Sequence, residues 1–221
     1  MIENILLIMD ILGTVAFSLS GAIVGIQKRL DVFGINILAL TTATGGGIIR
    51  DIVIGHTPPT LFDNPAFIFV SIGSATTVFL ICFHYRKNQN RIVVSFNKVL
   101  LVLDTLGLAA FTVDGSIIGI YLEESGILLI VFLGVITGVG GGILRDVIAR
   151  QIPFVFVKNI YACASILGAL MIGTVWRYIG YTNAILLGFM TVVIIRCMSI
   201  HFQWNLPKIV PLENKNLKND I

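Results

Sequence analysis

Two arginine–aspartate pairs, Arg50-Asp51 and Arg145-Asp146, sit inside otherwise apolar sequence, each just after a run of three glycines. Placing a charge at the centre of a bilayer costs about 2.5–3.5 kcal/mol on insertion scales, so such groups face a cavity or a partner rather than lipid. The competing reading is that they snorkel to the interface as anchors. Neighbouring residues on a helix point about 100° apart, so Arg50 and Asp51 are expected to look past each other. Asp10 is expected at the depth of Arg50 and Asp104 at that of Arg145, giving one ion pair toward each membrane face. Asp114 is expected to be a deeply placed, unpaired carboxylate that helps select cations. Arg196 either neutralises it or acts as a strut.

Gly45-Gly46-Gly47 and Gly140-Gly141-Gly142 fall mid-segment. Each glycine weakens a helix by about 1 kcal/mol against alanine, so a kink is expected at both runs. Carbonyls freed by a break are tolerated only beside protein or water. There they could hold a passing potassium or sodium ion, with no structural metal site implied. The plainer alternative is close helix packing through small residues. A nucleotide loop fits poorly, because Ile143 stands where the third glycine of Gly138-x-Gly140 would be needed and no strand precedes it. Thr41, Thr42, Thr44, Ser18, Ser20 and Thr137 could add hydroxyl oxygens, although such groups commonly bond to their own backbone. His56 and His84 have no partners at metal-ligand spacing. No nucleophile–base pair, metal cluster or cofactor motif appears, so the expectation is not an enzyme, with no cofactor and no nucleic-acid partner.

The elements that must position these groups are duplicated. Thr44 to Val53 returns as Val139 to Ile148, an offset of 95, and Asp10, Gly13, Phe17, Gly21 and Gly25 return as Asp104, Gly107, Phe111, Gly115 and Gly119, an offset of 94. Asp114 then corresponds to Ser20. A duplication that sets glycines and charges in apolar sequence points to membrane transport.

Hydrophobic residues make up 56% and charged residues 12% of the 221, against about 25% charged in soluble domains, so lipid must be the solvent for much of the surface. A crossing helix needs about 20 apolar residues. Seven segments qualify, at about 3–27, 33–55, 65–84, 98–122, 126–149, 159–177 and 180–202. The first lacks a basic leader and is too long for a signal peptide. The fold expected is an all-α membrane protein in one channel domain, residues 1–202: repeat one at about 3–84, repeat two at about 98–177, and a seventh helix at about 180–202. Three helices per repeat is an odd number, so the second copy starts from the opposite face and the repeats are inverted. Eleven basic residues fall on the side opposite the N-terminus and only Arg177 on the N-terminal side. Positive charge marks the cytoplasmic side, which puts the N-terminus outside and the C-terminus in the cytoplasm. Residues 207–221 read as a polar, disordered cytoplasmic tail. Cys82, Cys163 and Cys197 read as small packing residues.

The paired Gly-Gly-Gly-Ile-[Ile/Leu]-Arg-Asp motifs, with the Asp-x-x-Gly-x-x-Ala-Phe openings at Asp10 and Asp104, resemble the trimeric intracellular cation (TRIC) channels in their bacterial and archaeal branch. That branch overlaps a bacterial family also described as glycine transporters. The resemblance covers about residues 3–202. It implies a homotrimer in the plasma membrane with a hydrophilic pore through each protomer, passing potassium and sodium. Segments one, two, four and five would line that pore, kinked at Gly45–Gly47 and Gly140–Gly142. Arg50, Asp51, Arg145 and Asp146 would lie on the pathway. The alternative is a secondary transporter for a small zwitterion such as glycine, since inverted repeats serve alternating access equally well.

Overall fold

The computed structural model describes residues 2–84, 89–122, 126–157 and 160–204, so the expected tail at 207–221 lies outside them. The described chain is helical: α1 (Ile2–Gln27), α2 (Val32–Val53), α3 (Thr60–Asp63), α4 (Ala66–His84), α5 (Gln89–Tyr121), α6 (Ile127–Ile148), α7 (Phe154–Val157) and α8 (Tyr161–His201). Six of these helices are long and apolar enough to cross a membrane. Many large apolar side chains, among them Leu128, Phe69 and Phe33, lie exposed on the bundle surface, as a multi-pass membrane protein requires. The 41 residues of α8 would measure about 60 Å as one straight helix, twice the bilayer core. They are interrupted instead at Gly180, whose φ of 79° and ψ of 164° are non-helical. Only glycine enters that region without strain. The break falls at the first residue of the seventh expected segment. The four-residue helices α3 and α7 were not anticipated; both follow the Pro-containing joints after the Arg-Asp pairs.

The duplication is visible as duplicated contacts. In the first unit, α1 meets α4 through Ser18, whose Oγ donates to the Ser71 carbonyl at 2.6 Å. In the second, Thr112 and Ser165 share a hydrogen bond of 2.7 Å, at the equivalent position between α5 and the first half of α8. Gly25 lies against Ile35, and Gly119 against Ile130, in the same correspondence.

Contacts between the units are reciprocal. A Cβ on Gly46 of α2 would fall 2.1 Å from the Thr137 carbonyl oxygen of α6, and a Cβ on Gly141 of α6 would fall 2.1 Å from the Thr42 carbonyl oxygen of α2. Likewise Gly13 abuts Phe111 while Gly107 abuts Phe17, and the two rings lie 5.3 Å apart between centroids. In both helix pairs the partner index falls as the index rises, so equivalent helices run antiparallel and the axis relating the units lies across them. The repeats are inverted, as the parity of their helices requires.

The triple glycines therefore do something other than expected. Neither α2 nor α6 is interrupted at Gly45–Gly47 or Gly140–Gly142; both continue as α-helix to Val53 and Ile148. The middle glycines instead let two backbones touch, the packing alternative. Thr41, Thr42, Thr44 and Thr137 each donate to the carbonyl four residues back, which fixes the direction of each hydroxyl and leaves its oxygen lone pairs as acceptors. Cys82 and Cys163 are half-buried, but Cys197 is exposed, so it is not a packing residue.

Close approach makes the crossing sensitive to a single methyl. Gly46→Ala and Gly141→Ala are each expected to lower stability by about 1–3 kcal/mol, the range for overpacking. Gly73→Ala, with nothing within 4 Å of the added carbon, is expected to be neutral or to gain up to about 1 kcal/mol in helix propensity. Thermal unfolding of the purified protein in detergent compares the three.

Candidate functional site

Each Arg-Asp pair ends a helix and binds the short segment that follows it. Arg50 on α2 turns its side chain back on its neighbour: Nε donates to Asp51 Oδ1 at 2.9 Å, and an Nη2 lies 2.8 Å from the same oxygen. Its Nη1 makes a very short contact with Asp114 Oδ2 on α5. The other oxygen of Asp51 accepts the Thr60 backbone N–H at 2.9 Å and the Thr60 hydroxyl at 2.8 Å, which ties down the start of α3.

The second site repeats this plan. Arg145 Nε donates to Asp146 Oδ1 at 2.8 Å, and Nη1 reaches Asp104 Oδ1 and Ser20 Oγ. Ser20 Oγ donates to the same Asp104 oxygen at 3.0 Å. Asp146 accepts Gln151 Nε2 at 2.8 Å and the Phe154 N–H, at the start of α7, at 2.9 Å. The guanidinium carbon of Arg145 sits 5.4 Å from the centre of the Phe154 ring, within cation–π range.

Asp104–Arg145 is the predicted pair. Asp10–Arg50 is not among the ion pairs of the described residues; Arg50 pairs with Asp114, so Asp114 is not the unpaired carboxylate expected. The reason lies in the inverted geometry. Positions 20 and 114 each reach across to the arginine of the other repeat, a relation that comparison within one repeat does not reveal. The signal was present, since Ser20 and Asp114 are equivalent buried or half-buried polar residues in the two repeats. The expectation that Arg50 and Asp51 look past each other also fails. The angle applies to Cβ directions, and the long arginine stem is flexible enough to fold back. Arg196 approaches neither aspartate cluster with an ion pair. It is 2% exposed and stacks over Tyr161 at 4.8 Å. Its Nε and Nη1 have no hydrogen-bond partner among the described residues.

The two equivalent sites differ in access. Around Arg50 lies a cavity of about 470 Å³, at the end of the bundle where α1 begins, lined by Asp10, Asp51, Asp114, Gly47, Phe67 and Phe111 among others. It meets four carboxylates, Asp10, Asp51, Asp63 and Asp114, and one guanidinium. The Arg145 site is sealed, with Arg145 0%, Asp104 1% and Asp146 1% exposed. An excess of negative charge can be carried where water enters, whereas a sealed pair depends on its partners.

Removing one partner from the sealed site is therefore the harsher change. Asp104→Ala is expected to destabilise by about 3–5 kcal/mol, the range for stranding a buried charge. Asp10→Ala, in the open cavity, is expected to shift stability by less than about 1 kcal/mol. Unfolding midpoints in detergent or nanodiscs decide between them, and equal losses would contradict the difference in access.

With the geometry in place, the chain can be set beside known proteins. A family described as glycine transporter matches residues 7–82 and 101–177, one stretch in each repeat. The membrane protein YvgT of Bacillus subtilis is 33% identical over 90% of this chain and 94% of its own length. The inner membrane protein YadS of Escherichia coli is 36% identical over 93% and 97%. Both carry only the label UPF0126. Among solved structures, a prokaryotic TRIC channel crystallised in 0.5 M KCl superimposes with a TM-score of 0.83 at 30% identity, covering 92% of this chain and all of that one. The TRIC trimeric intracellular cation channel orthologue from Rhodobacter sphaeroides gives 0.80 at 29%, covering 91% and 100%. The matches span both repeats and the Arg-Asp sites between them, and on them the chain belongs to the glycine-transporter (UPF0126) family of multi-pass membrane proteins, which shares the fold of the TRIC channels.

Proposed function

We propose that the protein is a monovalent-cation channel, passing potassium and sodium through a separate pathway in each protomer of a homotrimer, and is not an enzyme. The observation that carries this reading is the charge balance of the cavity around Arg50. Four carboxylates line it against one guanidinium, whose donors are already directed at Asp51 and Asp114, so the field favours cations. The likeness to solved TRIC cation channels supports it.

In this proposal the chain crosses the plasma membrane seven times, with α8 counted as two spans on either side of Gly180. The N-terminus lies outside and the C-terminus in the cytoplasm, so the open cavity faces outward and the sealed Arg145 site faces inward. Conduction requires that site to loosen. Gly142 has no neighbour closer than 3.4 Å to an added Cβ, and Gly47 none closer than 3.7 Å, whereas the central glycines are tightly packed. Each triple glycine thus offers a loose residue next to its arginine, and bending there would release carbonyls to a passing ion.

One observation favours a second reading. Equivalent sites that are open at one end and sealed at the other are what alternating access requires, and the matching family is described as glycine transporter. A zwitterion would need a free cationic anchor for its carboxylate, and Arg50 is largely committed. That ranks the channel first.

Single-channel recording in planar bilayers under a potassium gradient tests the choice. Discrete current steps reversing near the potassium equilibrium potential, changed by Arg50→Ala, are expected. In Asp114→Asn the reversal potential should shift toward zero as cation preference weakens. A silent bilayer together with saturable glycine uptake into liposomes of the same preparation would establish the carrier instead.

A further inference from the structure

The cavity around Arg50 is larger and more carbon-lined than an alkali ion needs. Its volume is about 470 Å³, within the range of pockets that enclose organic ligands, about 300–1,000 Å³. A bare potassium site is built from converging oxygens that replace the hydration shell. Here Leu7, Phe67, Phe111 and Ile118 supply apolar wall beside the acidic groups. The two rings come from different helices, Phe67 from α4 and Phe111 from α5. Phe111 is held against Phe17 with centroids 5.3 Å apart, so it is a fixed surface.

The polar groups divide unevenly. Arg50 is fastened to Asp51 and Asp114, with Thr60 3.5 Å from Nη2. Asp51 is 1% exposed and is bonded further to the start of α3. Asp10 and Asp63 also line the cavity, and neither has an ion pair among the described residues; Asp63 is exposed on α3, whereas Asp10 is half-buried on α1 and hydrogen-bonded to Asp114. A half-buried carboxylate in a cavity that also presents aromatic rings is the arrangement that recognises an ammonium group carrying carbon. The charge goes to the carboxylate, and the C–H surface around the nitrogen goes to the rings. An alkali cation gains only the first contact and must give up water for it. A zwitterion gains the first contact but has no free guanidinium for its carboxylate.

We propose that this cavity is a binding site for small organic ammonium ions, with Asp10 as the charge partner and Phe67 and Phe111 as the aromatic wall. The proposal rests on the reading of this cavity as the mouth of a cation pathway and adds a ligand class to it. An ammonium held there stands in the path of smaller ions, so it competes with their passage.

Binding is measured apart from conduction, on full-length protein in nanodiscs, by calorimetry and thermal shift with tetramethylammonium chloride. Potassium chloride and glycine at matched ionic strength are the controls. Expected is a saturable heat and an upward melting shift with tetramethylammonium, at concentrations where neither control acts. Affinity should fall at least tenfold in Asp10→Asn and severalfold in Phe111→Leu. Phe67→Leu, outside the packed Phe17–Phe111 pair, provides a second aromatic variant should Phe111→Leu not fold. Equal effects of tetramethylammonium and potassium, or unchanged affinity in Asp10→Asn and Phe67→Leu, overturn the proposal. Potassium flux into liposomes from the same preparation separates the two claims. Flux without ammonium binding sinks this inference and leaves the channel standing, whereas ammonium binding without flux sinks the channel and leaves the site.

Discussion

The crossing of α2 and α6 is the constraint on which the remaining geometry depends. At its centre two glycines face two carbonyls, with no space for a β-carbon at Gly46 or Gly141. In lipid there is little hydrophobic force between helices, and association relies on van der Waals contact, so a backbone-to-backbone approach is among the closest packings open to a membrane helix pair. The contact is reciprocal and antiparallel, and that places the two inverted units about a common axis. Arg50 and Arg145, four residues beyond Gly46 and Gly141, are thereby carried to opposite ends of the bundle. Every later distinction between the two ends is a departure from this symmetry.

Each arginine is then neutralised by the same local device. The adjacent aspartate folds against the guanidinium with one oxygen and holds the start of a short helix with the other, Thr60 at one end and Phe154 at the other. A charge, its counter-charge and the segment closing that end of the bundle form one hydrogen-bonded unit. Such units are costly to leave half-made, since breaking a buried pair strands a charge. A movement of α3 or α7 is therefore linked to the state of its arginine, which gives the paired motif a mechanical meaning that sequence order alone does not carry.

Much of this was legible in the sequence because it is periodic or countable. Apolar runs located the crossing helices, and the offsets of 94 and 95 located the repeats. An odd number of helices per repeat implied their inversion, and Asp104 was correctly assigned to Arg145. What escaped depends on features that sequence spacing does not encode. Three consecutive glycines predict weak helix propensity, yet packing against α6 holds α2 helical through them, so tertiary contact overrode local preference. Asp10 and Arg50 share a depth, but depth is one coordinate; the rotation of α5 about its axis presents Asp114 to Arg50 first. α3 and α7 are single turns held by an aspartate eight or nine residues earlier, below what periodicity detects.

One pair of residues sets the difference in charge between the two ends. Where the inverted repeats are equivalent, Ser20 meets Arg145 and Asp114 meets Arg50. Serine is small and neutral, and it both accepts from the guanidinium and donates to Asp104. The cluster it joins has two carboxylates around one arginine and closes to nearly zero exposure. Aspartate at the equivalent position raises the count to three carboxylates once Asp10 is included. Excess charge of that size in a medium of low dielectric constant costs several kcal/mol per unpaired ion, and a shared proton, water or a mobile cation offsets it. A hydroxyl in one repeat and a carboxylate in the other thus join the Phe154 ring and Gln151 in setting the sealed end apart from the open one. The open end is the one with charge to spare, and that locates cation recognition there rather than at the better-packed Arg145 site.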